Sequence, residues 1–168
     1  MRLKSQEFKG IVFRIHAPDK EALDTSASRE YGGRWNRPEK YGVLYTSLTL
    51  ETAEAEYKTQ LQKRGLAADD LFDRSISTIE VRLQRVLDFS DPDRQKEFRI
   101  SESELESDDD ISRKKMLDLA DEARAHGYEG IISPSARFRK GKNLNVFMDL
   151  LEEVSFVKKI KTERLSIK

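Results

Sequence analysis

The stretch GGRWNRPEKYGVLYTSLTLETAEAEY, residues 32–57, decides how this chain is read. It opens on two glycines and the triplet Arg34-Trp35-Asn36, passes Pro38, and enters Gly42-Val43-Leu44-Tyr45-Thr46-Ser47, a short run with strand character. Thr49 then stands where a helix N-cap belongs, with Glu51 in the first turn where a carboxylate suits the helix dipole. Leu50, Ala53, Tyr57 and Leu61 follow at helical spacing, which predicts an amphipathic helix over residues 50–64, stopped by Gly65. Loop, strand and helix thus succeed one another directly.

The flanking sequence continues that mixture. On the N-terminal side, Ile11, Val12, Phe13 and Ile15 mark a first strand over residues 8–16, ended by Pro18 and Asp19, and residues 24–40 read as an ordered loop. On the C-terminal side, the alternation of Ile76, Ile79, Val81 and Leu83 predicts one strand or two over 75–89. Residues 101–110, SESELESDDD, hold six acids and no base and read as a solvated loop. Met116, Leu119, Ala120 and Ala123 form the stripe of a helix over 111–126, with Gly127 at its C-terminal end. Strands are expected over 128–133, 145–151 and 154–160, and a frayed polar tail from Lys161. The expected architecture is a single mixed α+β domain over residues 1–168, a β-sheet core with flanking helices.

Composition narrows the chemistry. The 168 residues contain 31 Lys and Arg against 31 Asp and Glu, no Cys, and two His, His16 and His126. Thiol catalysis, disulfides and Cys-ligated zinc are excluded, and a multi-His metal site is disfavoured. Net charge of zero argues against a polyanion-binding face, and so against direct nucleic-acid binding. No segment approaches the ~18 consecutive apolar residues of a membrane span. The N-terminal residues lack a signal-peptide core, so the expected location is cytoplasmic. Secretion by a signal-independent route would leave the same pattern.

The residues with chemical potential are scattered. Gly32 and Gly33 allow close backbone approach, while Arg34 offers a planar fork suited to phosphate. Trp35 in the same loop reads equally well as a ligand contact or as a core plug. Arg14 faces opposite Phe13 and Ile15 by alternation, which commonly means solvent. Tyr45 is a packing residue with a polar tip or a site residue. Glu54 and Glu56 flank the apolar face centred on Tyr57, and periodicity does not choose between them. Ser135 lies just beyond a buried-looking strand without any nucleophile motif around it, which makes it a hydrogen-bonding residue.

Taken in order, these pieces resemble the RES domain family, named for its Arg, Glu and Ser. The matching segments are Phe13-Arg14-Ile15, GGRWN at 32–36, Val43 to Ser47, Thr52-Ala53-Glu54-Ala55-Glu56, Gly127 to Ile132, Pro134-Ser135-Ala136-Arg137 and Asn143 to Phe147, spanning roughly residues 11–148. The resemblance implies a fold similar to ADP-ribosyltransferase toxins. It implies a toxin of a toxin–antitoxin pair that consumes NAD+ by cleaving the nicotinamide–ribose bond, with phosphate, water or a protein as acceptor. It implies an Xre-like helix-turn-helix antitoxin as partner, allows a homodimer, and calls for no metal. Carried over position by position, it makes Glu56 (not Glu54), Arg34 and Tyr45 catalytic, and Arg14, Ser135, Trp35 and Asn36 substrate-binding. Arg37 matches no catalytic position. The acidic 101–110 segment departs from many relatives. A catalytically silent binding module using the GGRWN loop is the alternative from another class. A ribonuclease-type toxin is disfavoured by the zero net charge and the lack of a His-based acid–base pair.

Overall fold

The computed structural model describes residues 5–63, 65 and 74–165. Six strands and five helices follow in the order β1 (Gln6–His16), α1 (Ser26–Tyr31), β2 (Leu44–Ser47), α2 (Leu50–Lys63), β3 (Ser75–Asp88), α3 (Pro92–Glu97), α4 (Glu102–Glu106), α5 (Asp110–Ala125), β4 (Gly130–Pro134), β5 (Lys142–Val146) and β6 (Phe156–Arg164). The architecture is mixed α+β with a sheet core, as expected. The predicted helix end at residue 64 lies outside the described residues.

The strands pair in the order β1-β2-β5-β4-β3-β6, and β1 also pairs with β3, so five strands close into a ring with β6 on its outside. All neighbours are antiparallel except β3 and β4. Alternation assigns the two faces of the strands different work. Val12, Leu44, Ile79, Val81, Leu83, Ile132, Leu144 and Val146 form one buried cluster. The intervening residues Val43, Leu87, Ile131 and Phe147 face the other way and join a second cluster with Trp35, Leu105 and the α5 stripe of Met116, Leu119, Ala120 and Ala123. Further along that outer face the pattern turns polar. Ser47 of β2 and Ser133 of β4 both stand opposite Asn143 of β5.

Several segments differ from expectation for identifiable reasons. Residues 26–31 form α1, which buries no residue and therefore leaves no apolar stripe in the sequence. The acidic segment is not a loop. Ser101 and Glu104 form a reciprocal capping box that starts α4, whose Leu105 is buried, and the Asp109 side chain caps α5. An Asp91 N-cap with Pro92 behind it opens α3, where no element was predicted. Residues 75–88 are one strand, and the strand expected over 145–151 ends at Val146, followed by a single 3-10 turn at Met148–Leu150. Lys161–Arg164 is no frayed tail: it pairs with Ser75–Thr78 of β3. The apolar residues of β6, Phe156, Val157 and Ile160, lie in its first half, so its polar second half reads as a tail.

Candidate active site

The helix α2 packs against β1 and β2 and buries Thr52, Ala53 and Leu61. Glu56 is one turn after Thr52 and lies on that inner side. Its Oε1 accepts from Ser135 Oγ at 2.6 Å and from Asn143 Nδ2 at 3.0 Å. Both donors are held from behind. The Ser135 oxygen accepts the backbone N–H groups of Arg137 and Phe138, so its proton is left for Glu56. The Asn143 Oδ1 accepts from Ser47 Oγ, which turns the amide nitrogen toward the carboxylate. No described residue donates to Glu56 Oε2. Glu54, half-buried on the same helix, makes neither contact, so the fold separates the two glutamates that periodicity left equivalent.

A close backbone approach shapes the GGRWN loop. A Cβ on Gly33 would meet the Tyr45 hydroxyl at 2.4 Å, and Gly32 has φ +75°. The Tyr45 hydroxyl accepts the Trp35 N–H at 3.0 Å and donates to Asn36 Oδ1 at 2.7 Å. Asn36 Nδ2 donates to the carbonyls of Ser28 and Tyr41. Burial pushes the Tyr45 phenol well above its ordinary range. Trp35 is 1% exposed and stacks on Phe89 at 5.8 Å. Trp35 and Asn36, expected to touch substrate, are thus buried, with the Asn36 side chain and the Trp35 backbone bonded to protein. They hold the loop, as core packing and backbone bracing.

Arg34 leaves this frame in the opposite direction. Its Nη1 donates to the carbonyls of Leu105 (2.6 Å) and Ser107 (3.2 Å), and its Nη2 to Asp108 Oδ1 at 2.7 Å. Asp108 Oδ2 accepts from Lys63 at 2.9 Å and from Arg137 at 2.5 Å. Lys63, then Arg137, hold the Asp108 carboxyl well below the usual carboxylate range. Desolvation lowers the Arg34 guanidinium from its ordinary value. The charges of Asp108 and Glu56 oppose that shift, which places Arg34 within electrostatic reach of the glutamate. One cluster thus unites Arg34, Glu56, Ser135 and Asn143 with three further charged groups.

One expected residue, Arg14, makes its contacts outside this cluster. The Arg14 Nη1 donates to the Ala22 carbonyl at 2.6 Å, with Asp24 as its charged neighbour. Arg37, matched to no catalytic position, bridges to Asp118 and Asp121 of α5. Asn143, Lys63 and Asp108 belong to the cluster yet carry little sequence signal. Asn143 could have been found from the alternation of Asn143 and Asn145 with Leu144 and Val146. The other two are distant in sequence from their partners. A surface hollow of about 420 Å³, lined by Gln95, Arg99, Ile100 and Glu104 among others, shares no residue with the cluster. Among the described residues, no group of three His, Asp or Glu could hold a metal ion, and no helix is long and apolar enough to cross a membrane.

The sequence pattern of the family described as the RES domain matches residues 11–167. The chain belongs to the RES domain family. Among curated relatives of this RES chain are the NAD(+) phosphorylases MbcT of Mycobacterium bovis and Mycobacterium tuberculosis. Each is 23% identical over 105 residues, covering 61% of this chain and 56% of the relative. The match therefore spans little more than half the length of those relatives. A crystal structure of the M. tuberculosis MbcT–MbcA toxin–antitoxin complex contains a chain of the same fold, with TM-score 0.82 and 18% identity over 96% of this chain and 87% of that one.

Proposed function

We propose that this RES domain is an NAD+-consuming toxin that cleaves the nicotinamide–ribose bond and passes the ADP-ribosyl group to phosphate. The observation that carries the reading is the Glu56 carboxylate, fixed on one oxygen by Ser135 and Asn143 and within electrostatic reach of Arg34. Breaking an N-glycosidic bond builds positive charge on the ribose, the problem glycosidases meet with carboxylates. Glu56 Oε2 takes the ribose hydroxyls and stabilises that charge. Ser135 and Asn143 hold the carboxylate so that it need not reorganise. Arg34 binds phosphate oxygens through its fork. Nicotinamide leaves neutral, so no strong general acid is required. Arg14 extends the site toward the dinucleotide from β1. Trp35, Asn36 and Tyr45 act as positioning residues for Arg34.

The relatives named NAD(+) phosphorylase support phosphate as the acceptor, ahead of water or protein. The structural neighbour, solved as a toxin–antitoxin complex, supports an antitoxin partner for this chain. An Xre-like helix-turn-helix partner and a homodimer rest on the family resemblance, and a cytoplasmic location on the signal-free N-terminal sequence. Purified protein incubated with NAD+ and phosphate is expected to release nicotinamide and ADP-ribose-1″-phosphate. If NAD+ stays intact with and without phosphate, and no protein in a lysate is modified, the enzyme reading fails and the binding-module reading takes its place.

A further inference from the structure

Asp108 is the one charged residue of the α4–α5 linker whose side chain caps nothing. Ser107 is the C-cap residue of α4, and the Asp109 side chain accepts the Ser112 N–H at the start of α5. Asp108 instead reaches outward and accepts from three cations: Arg34 on one oxygen, Lys63 and Arg137 on the other. Arg113 adds further positive charge near Arg34. Arg34, Lys63 and Arg137 set against Asp108 and the neighbouring Glu56 still leave a net positive charge in the cluster. A phosphate group carries more acceptor oxygens than a carboxylate and up to twice its charge.

The surrounding contacts make an exchange cheap. Arg34 is anchored by Nη1 on the Leu105 and Ser107 carbonyls, so it keeps its place when Nη2 is released. The Asp108 side chain is 42% exposed and can turn into water without uncapping either helix. We propose that Arg34, Lys63 and Arg137 form a subsite for a phosphate group, and that the Asp108 carboxylate is its resident occupant, displaced when the phosphate group arrives. The site fills itself when empty, and its ligand competes with the protein's own linker. That the ligand belongs to the reaction rests on the NAD+-cleavage reading, while the anion site itself does not. Inorganic phosphate and the pyrophosphate of a dinucleotide share the chemistry required.

The test is calorimetric titration of the whole protein and of Asp108→Asn with inorganic phosphate alone, and separately with NAD+ in phosphate-free buffer. Asp108→Asn keeps the side chain's shape and removes the competing charge, and Asp108→Ser serves if the first variant folds poorly. Binding should tighten about fivefold, the scale of losing one partly exposed ion-pair competitor. Tightening for inorganic phosphate alone identifies the acceptor's site, and for NAD+ alone the pyrophosphate's. Adding Lys63→Met to Asp108→Asn should reverse the gain. Unchanged or weaker binding of both probes by folded variants overturns the proposal. The phosphate titration needs no turnover, so it stands even if the protein never cleaves NAD+.

Discussion

The family-matched residues divide into two neighbourhoods that share a loop and differ in how they are satisfied. Trp35, Asn36 and Tyr45 point inward and bond to one another and to the protein: Trp35 backbone N–H to Tyr45, Tyr45 hydroxyl to Asn36, Asn36 amide to Ser28 and Tyr41. Arg34, Glu56 and Ser135 belong to the charged cluster, the mouth of the candidate site, where one oxygen of Glu56 is tied and the other receives no donor from the described residues. A saturated group holds shape, and a half-saturated one can take a ligand. Residues that travel together as a motif therefore need not share a job.

Substitutions should pull the two neighbourhoods apart. The largest effect is expected for Glu56→Gln, which keeps the side chain's size and removes its charge. NAD+ consumption should fall about a hundredfold or more while the melting temperature stays close to wild type, as read by nicotinamide release and calorimetry. Next comes Gly33→Ala, whose Cβ would press on the Tyr45 hydroxyl. It should cost roughly 1–3 kcal/mol of stability in denaturant unfolding and lower activity as the loop shifts. Tyr45→Phe should cost about 1 kcal/mol, because two hydrogen bonds to loop residues are lost, with a small loss of activity. If Tyr45→Phe instead abolishes turnover without changing stability, Tyr45 belongs with the mouth and the division drawn above is wrong.

The smallest effect concerns acid. The Asp108 carboxyl titrates below its ordinary value of 3.8, so its ion pairs contribute fully above that value and are lost as pH falls toward the folded-state pKa. Solvent screening of this partly exposed group keeps the contribution modest. Acid unfolding of Asp108→Asn should accordingly show a slightly shallower decline below pH 4 than wild type. An identical decline would remove Asp108 from the ionic balance of the mouth.

The strongly periodic parts of the fold were legible in the sequence. The α5 stripe and Gly127, and the alternating apolar residues of β3, are written at short range. Elements without an apolar stripe were not. The α1 helix buries nothing, and the second half of β6, beyond the expected end at Ile160, is polar. The α4 helix holds a single buried leucine behind a capping box whose Ser101-Glu104 spacing is itself readable. At the site, family resemblance singled out Glu56, Arg34 and Ser135. Lys63 and Asp108 escaped because their importance lies in contacts across 45 to 74 positions of chain. An acid run is legible as charge, and nothing local says which cations it will meet.

The ring of strands has a consequence for synthesis. Its first strand pairs with β3, and the ring is complete only when β4 and β5 have been added. The carboxylate on α2 waits equally long for Ser135 and Asn143. A ribosome that has delivered Glu56 has therefore made a helix with no partner for its acid. Most of the chain must emerge before the parts of the mouth can meet. The candidate site therefore assembles late, only after the residues that fix its carboxylate have been made.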